Sequence, residues 1–368
     1  MKNRNRNGRY WVCSLTIFAV AFILVASMPI AKAADAPIEL KFAYPYANVS
    51  MPGRTMEYFA NLVNERSKGR VKITTFPSNT LIAADKTYEG VVTGIAEIGN
   101  TTPSYTAARF PAGDSTLLPI AIKTGWTYTH TVQDWYEKFK PKEFDDTHML
   151  FFNGCGPYAL ASRSKPMMKP ADLKGLKVRA AGIQAGAVVK ALGGTPVNVP
   201  MPETFDAISK GVVEALLIPA EALKGWKHAD VTKYFTRLPQ SFSNPNATFM
   251  NKKKWDSLPP DIQKIFTDAA KEMVEVGAKA WWYADIAAEE YFLSLGGDRK
   301  IIEIPPAETA AWEKPLVGLR DAYVAEHKNL PAAEYIKYLD ERTKYWNSRQ
   351  PDKKTVVEWV EKELMKTK

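Results

Sequence analysis

The sequence predicts an α/β protein built as two successive α/β blocks and braced by one long helix. Short apolar runs alternate with amphipathic segments from about residue 38 to 98, and again from about 149 to 218. That alternation is the pattern of mainly parallel strands covered by helices. The stretch 261–295 contains no proline and closes at Gly296-Gly297. As a single helix it would span roughly 50 Å, more than one small domain. Gly277 in its interior would allow a bend.

The elements follow in order. Residues 38–43 (IELKFA) alternate with period two and read as a strand. Pro52 opens a helix to about Ser67, with Met56, Phe59, Ala60 and Val63 on one face. Lys68-Gly69 ends it, and 71–76 is the next strand. A helix at 85–93 and a strand at 95–98 complete the first block. In the second block, 149–152 and 158–162 read as strands, and 170–175 as a turn before a strand at 176–180. A helix at 184–192 ends at Gly193-Gly194. A strand at 196–199, a short helix at 202–210 with Pro202 in its first turn, and a strand at 213–218 follow. Residues 351–368 read as a terminal amphipathic helix.

The ends and the charge bear on location. Residues 1–33 carry Lys2, Arg4, Arg6, Arg9 and Lys32 and no acid. A basic start, an apolar stretch over 11–30 and Ala31-Lys32-Ala33 read as a cleavable secretory signal. The formal charge of +9 falls to +4 without that segment, with 44 Lys and Arg against 40 Asp and Glu. The rest is dispersed, so no nucleic-acid partner is expected, nor stable membrane insertion once the signal is removed. Cleavage leaves Cys155 as the one thiol, in the turn Gly154-Cys155-Gly156-Pro157, and a structural role is expected for it.

Motifs for catalysis are missing. The sequence has no G-x-S-x-G elbow, P-loop, H-E-x-x-H or paired C-x-x-C. His130, His148, His228 and His327 show no metal-ligand spacing and read as structural or surface histidines. No enzyme activity, catalytic residue, metal or cofactor is expected.

Three runs carry a family signal: Asp172-Leu-Lys-Gly-Leu-Lys-Val-Arg179, then Ala191-Leu-Gly-Gly-Thr-Pro-Val197, then Met201-Pro-Glu-Thr-Phe-Asp-Ala-Ile208 with Gly211-Val-Val-Glu214. Gly69-Arg-Val-Lys-Ile73, Phe249-Met-Asn251 and Trp255-x-x-Leu258-Pro259 accompany them. With these the chain resembles the DctP-type extracytoplasmic solute-binding proteins of TRAP (tripartite ATP-independent periplasmic) transporters over nearly its whole mature length. The resemblance implies a two-lobed periplasmic binding protein fold with an interlobe cleft. It implies lobe 1 at 34–153 plus 244–283 and lobe 2 at 154–243 plus 284–368. It also implies a small-molecule carboxylate ligand, hinge closure, and delivery to TRAP membrane subunits.

In that family Arg179 would anchor the ligand. A guanidinium at a strand end offers a rigid donor fork that matches a carboxylate bidentately. Relatives commonly continue Asp-Gly-Gln-Glu-Asn-Pro where this chain reads Glu214-Ala-Leu-Leu-Ile-Pro219. Ile218 thus falls where those relatives carry a ligand-contacting asparagine, and it cannot hydrogen-bond a second polar group. A second arginine known upstream in sialic-acid-type relatives has no convincing match, Arg163 included. One anchor with apolar lining suggests a monocarboxylate with an apolar or aromatic body. Further wall candidates are Met201, Tyr158, Phe242, Asn246 and Phe249, with Tyr44, Tyr46, Thr101 and Thr102 at first-block strand ends. Trp281-Trp282 reads as interlobe packing. The alternatives are a C4-dicarboxylate ligand in the same fold, a sensing module for a receptor kinase, and a secreted enzyme.

Overall fold

The structure, a computed structural model, describes residues 36–240 and 242–366. The expected secretory signal, residues 1–33, therefore lies outside the described residues. The strands are β1 (Ile38–Ala43), β2 (Val71–Phe76), β3 (Ile98–Thr101), β4 (Thr147–Gly154), β5 (Tyr158–Ser162), β6 (Lys177–Ala180), β7 (Thr195–Asn198), β8 (Ala215–Pro219), β9 (Tyr234–Arg237), β10 (Pro245–Asn251) and β11 (Lys300–Glu303). They form two sheets, a five-stranded one in the order β2-β1-β3-β10-β4 and a six-stranded one in the order β11-β9-β5-β8-β6-β7.

Each sheet is mixed rather than mainly parallel. In the first, β1 runs parallel to β2 and β3, but β10 enters antiparallel between β3 and β4. In the second, β6 is parallel to β7 and β8, while β5 is antiparallel to β8 and β9. The reversals come from the two crossovers. The chain leaves the first sheet at Gly154, enters the second at Tyr158, and returns before Pro245. The crossovers touch, since the Cys155 amide donates to the Asn244 carbonyl at 3.3 Å.

The first helix, Met51–Arg66, is capped by the Ser50 hydroxyl, which accepts from the Gly53 amide. Its buried face includes Met56, Phe59, Ala60 and Val63, the stripe the period predicts. Phe59 meets Phe42 of β1 edge to face at 6.1 Å. In the second sheet successive residues alternate between two cores. Leu216 and Ile218 pack with Ala159, Ala161, Phe235 and Phe292, while Ala215 and Leu217 face the other cluster.

The long helix runs unbroken from Pro260 to Ser294. Gly277 is no bend. It makes room for Asn153, whose amide nitrogen would stand 2.0 Å from a Cβ there. That amide donates to the Met273 carbonyl at 3.4 Å. The helix serves both sheets. Phe266 meets Phe59 on the first-sheet side, and Glu289 pairs with Arg237 of β9 on the other.

The C-terminal region divides differently from the expectation that 284–368 follows the second lobe. Only β11 joins the second sheet. The helix Ala332–Asn347 packs beside the first, with Tyr335 against Trp135 at 5.6 Å and Arg342 paired to Asp134 at 2.6 Å. The last helix, Lys353–Glu363, buries Val356 and Val360 and sets Trp359 under Lys279 of the long helix.

Candidate functional site

Arg179 lies one residue from the C-terminal end of β6, flanked by β7 and β8, and is fully buried. Its Nε donates to the Val199 carbonyl at 2.8 Å, and its Nη1 to the Leu217 carbonyl at 3.2 Å. Nη2 is buried and has no hydrogen-bond partner. No carboxylate among the described residues pairs with this guanidinium, although ion pairs are plentiful elsewhere. A buried cation left with two carbonyl dipoles and a spare donor is costly unless an anion completes it.

Two tyrosines stand within electrostatic reach of Arg179, Tyr105 and Tyr158. The Tyr105 oxygen accepts from the Met201 amide at 3.2 Å, and the Tyr158 oxygen accepts from Asn244 Nδ2 at 3.0 Å. Each hydroxyl thereby keeps its own proton to donate. His228 is also near and fully buried, with neither ring nitrogen hydrogen-bonded. Burial, reinforced by the Arg179 charge, lowers its pKa to about 3, so the ring is neutral.

The seam between the sheets holds a small cavity, about 20 Å³, lined by Tyr46, Thr102, Tyr105, Cys155, Tyr158, Met201, Pro219, Glu221, Trp226, Asn246 and Trp281, with Pro45 at its edge. That volume is on the order of a single water. Anything larger than a water fits there only if the lobes part. Tyr46 meets Trp226 at 6.1 Å and Trp281 at 5.8 Å, both edge on. Asn246 Oδ1 accepts from Tyr46 at 2.7 Å and from Thr102 at 2.8 Å, and its Nδ2 donates to Cys155 Sγ at 3.4 Å. These polar atoms are therefore spent on one another. Burial pushes the Cys155 thiol well above its ordinary range, against nucleophilic use.

Of the residues expected at the site, the structure brings Tyr46, Tyr158, Met201 and Asn246 to one cavity, with Arg179 outside its lining but in electrostatic reach of Tyr105 and Tyr158. Phe242 stands behind Tyr158, ring centroids 5.6 Å apart. Four expected residues point elsewhere: Thr101, Ile218, Tyr44 and Phe249. Thr101 donates to the Ala84 carbonyl, and the neighbouring Thr102 faces the cavity instead. Ile218 sits in the core on the opposite face of its sheet, so Pro219 forms the wall. Tyr44 donates to Asn48 and Glu57, and Phe249 packs on Tyr88. Arg163 donates to the Ile208 carbonyl. Trp281, expected as packing only, lines the cavity, because its place on the long helix falls at the seam.

Glu221 of the cavity wall is paired with Asp285, which lies outside the lining. Asp285 Oδ1, on the long helix, accepts from the Glu221 amide at 2.9 Å. A Cβ on Gly156 would come 1.8 Å from Asp285 Oδ2, so the crossover needs glycine there. Burial raises the Asp285 pKa to about 8, the Glu221 amide opposing it, and burial with Asp285 raises Glu221 to about 8. Both ordinary values lie near 4, so the folded form holds these protons more tightly than the unfolded chain. The stability this gives is complete below pH 4 and is lost as pH rises to about 8. Asp285→Asn keeps the acceptor and removes the titration. It is expected to raise the melting temperature at pH 8.5 by about 3 °C or more, with a smaller rise at pH 5 and little change below pH 4. Differential scanning fluorimetry across pH reads this, and parallel wild-type and variant curves would exclude Asp285 as the group.

Two lobes, crossing strands, a bracing helix and a seam with an unsatisfied buried guanidinium define a ligand-enclosing binding protein. The model of bacterial extracellular solute-binding protein family 7, DctP, matches residues 42–326, and the chain belongs to that family, the DctP-type solute-binding proteins of TRAP transporters. It is 27% identical to the C4-dicarboxylate-binding periplasmic protein DctP of Rhodobacter capsulatus, over 82% of this chain and 90% of that protein. A TRAP periplasmic solute-binding protein from Desulfovibrio salexigens is similar at 28% identity and TM-score 0.74, covering 87% of this chain and 100% of that one. Another from Rhodoferax ferrireducens, solved with copurified benzoate, has the same fold at 23% identity and TM-score 0.80, covering 85% and 100%. Proteins of this family are solute-binding proteins that work with TRAP membrane subunits. Among the described residues no helix is long and apolar enough to cross a membrane.

Proposed function

We propose that the protein captures a monocarboxylate with an apolar or aromatic body in the seam, holds its carboxylate on Arg179, and delivers it to TRAP membrane subunits from the periplasm, which it reaches through its 1–33 signal. The single observation that carries this is the buried, unpartnered Nη2 of a guanidinium with no carboxylate against it. An incoming carboxylate would complete the fork, and the Tyr105 and Tyr158 hydroxyls, whose oxygens accept, keep protons that could supplement it. Aromatic walls from Tyr46, Trp226 and Trp281 suit a flat apolar body. The benzoate of the Rhodoferax relative accords with this reading.

The rival ligand is a C4-dicarboxylate, the class named for the Rhodobacter relative. The cavity lining contains no Lys or Arg, and its one ionisable acid is Glu221. A second ligand carboxylate there would be desolvated beside another acid. Thermal shift over a carboxylate panel tests the choice. A ligand at 100 times its Kd stabilises by about 2.7 kcal/mol. Benzoate and phenylacetate are expected to raise the melting temperature, and succinate and malate to leave it unchanged. The reverse result overturns the monocarboxylate reading.

A further inference from the structure

Glu221 has no place in holding a carboxylate, yet it lines the same cavity as the two tyrosines and is 3% exposed. Its Oε1 is buried without a hydrogen-bond partner. Its backbone is fixed by Asp285, and its side chain lies over Gly225, where a Cβ would meet Oε1 at 2.0 Å. No cation perturbs its titration, although Glu221 and Gly225 also line a second pocket with Lys224 and Lys227. The ionisable groups around it are Tyr46, Cys155 and Asp285. A buried polar atom without a partner is destabilising by itself and is explained by a group that arrives with the ligand.

The supply of acceptors narrows that group. Asn246 Oδ1 already takes two donors, and Asp285 Oδ1 takes the Glu221 amide. One acceptor, Glu221 Oε1, is left unmet at this end. An ammonium brings three donors and would bury two of them unsatisfied, whereas a hydroxyl brings one and can also accept. We infer that Glu221 is a specificity-determining residue that hydrogen-bonds a hydroxyl on the apolar body of the acid, so that the preferred ligand is a hydroxylated monocarboxylate. This rests on the monocarboxylate reading above. Burial and the neighbouring Asp285 favour the neutral carboxyl, which both donates and accepts and adds no charge against an uncharged hydroxyl.

The test is titration calorimetry of the full mature chain with benzoate, its three hydroxybenzoates, phenylacetate, its three hydroxyphenylacetates and 4-(aminomethyl)benzoate. In the wild type the best hydroxylated acid is expected to bind about tenfold tighter than its parent, the worth of one well-made hydrogen bond. Glu221→Met, of similar length, is expected to erase that ratio. Glu221→Gln keeps an acceptor, so it retains most of the preference, and it guards against misfolding of the methionine variant. An undiminished hydroxyl preference in Glu221→Met overturns the inference, as does tighter binding of the aminomethyl acid, and both leave Arg179 capture standing. Absence of binding by every monocarboxylate overturns both readings together.

Discussion

Arg179→Ala is expected to lose carboxylate binding by a factor on the order of 100 or more, the usual cost of truncating one partner of a buried charge pair. The fold should survive. The side chain's two protein contacts are to the Val199 and Leu217 carbonyls, and removing a buried cation with no anion against it relieves a desolvation cost. Melting temperature is therefore expected to move little while calorimetric binding vanishes. Arg179→Lys should bind almost as poorly. An ammonium cannot hold both carbonyls and still present two donors to a carboxylate. Undiminished affinity in either variant would remove Arg179 from the site.

The second large effect concerns closure. Gly182 follows β6 with φ +87°, and its amide donates to Asn198 Oδ1 at 3.0 Å. A Cβ there would stand 2.7 Å from Ser104 Cβ and 3.0 Å from the Ser104 carbonyl oxygen, across the seam. Gly182→Ala therefore does two things. It strains a left-handed backbone by about 1 kcal/mol, and it wedges the lobes apart where they meet. Ligand affinity is expected to fall about tenfold or more, since the open form cannot surround the acid. Gly175→Ala is the control. Gly175 has φ +81° with nothing within 4 Å of a Cβ, so it carries the strain without the wedge. Similar destabilisation with normal affinity in Gly175→Ala, set against weak binding in Gly182→Ala, assigns the loss to the wedge. Equal affinities in the two variants would refute it.

Most strands and the long helix were legible because their periods are clear and their ends carry glycine or proline. The family runs singled out Arg179 as the anchor candidate, and the structure adds an unpartnered nitrogen that periodicity cannot show. The walls were harder for a specific reason. On β8, Ala215, Leu216, Leu217 and Ile218 are all apolar because both faces are covered. No alternation was left to say that Ile218 faces the core and Pro219 the seam. The pair Thr101-Thr102 has the same ambiguity: two identical side chains at a strand end, only one of which reaches the cavity. Tyr105, Glu221, Trp226 and Trp281 were missed as site residues because they meet only in space. The terminal helices carry apolar stripes that either lobe could have covered, and only packing decides that Ala332–Asn347 lies beside the Gly125–Phe139 helix.

The position of β10 has a consequence for how the chain becomes native. It is the fourth strand across the first sheet, wedged between β3 and β4, yet it is made after every strand of the second sheet except β11. As the polypeptide emerges amino end first, β3 and β4 must wait with open edges while the whole insertion passes. The first lobe cannot mature ahead of the second, and a fragment stopping at residue 153 lacks the strand that joins its halves. For an exported chain this delay is useful. A sheet that cannot close early leaves the polypeptide threadable until Asn251, the end of β10, is available.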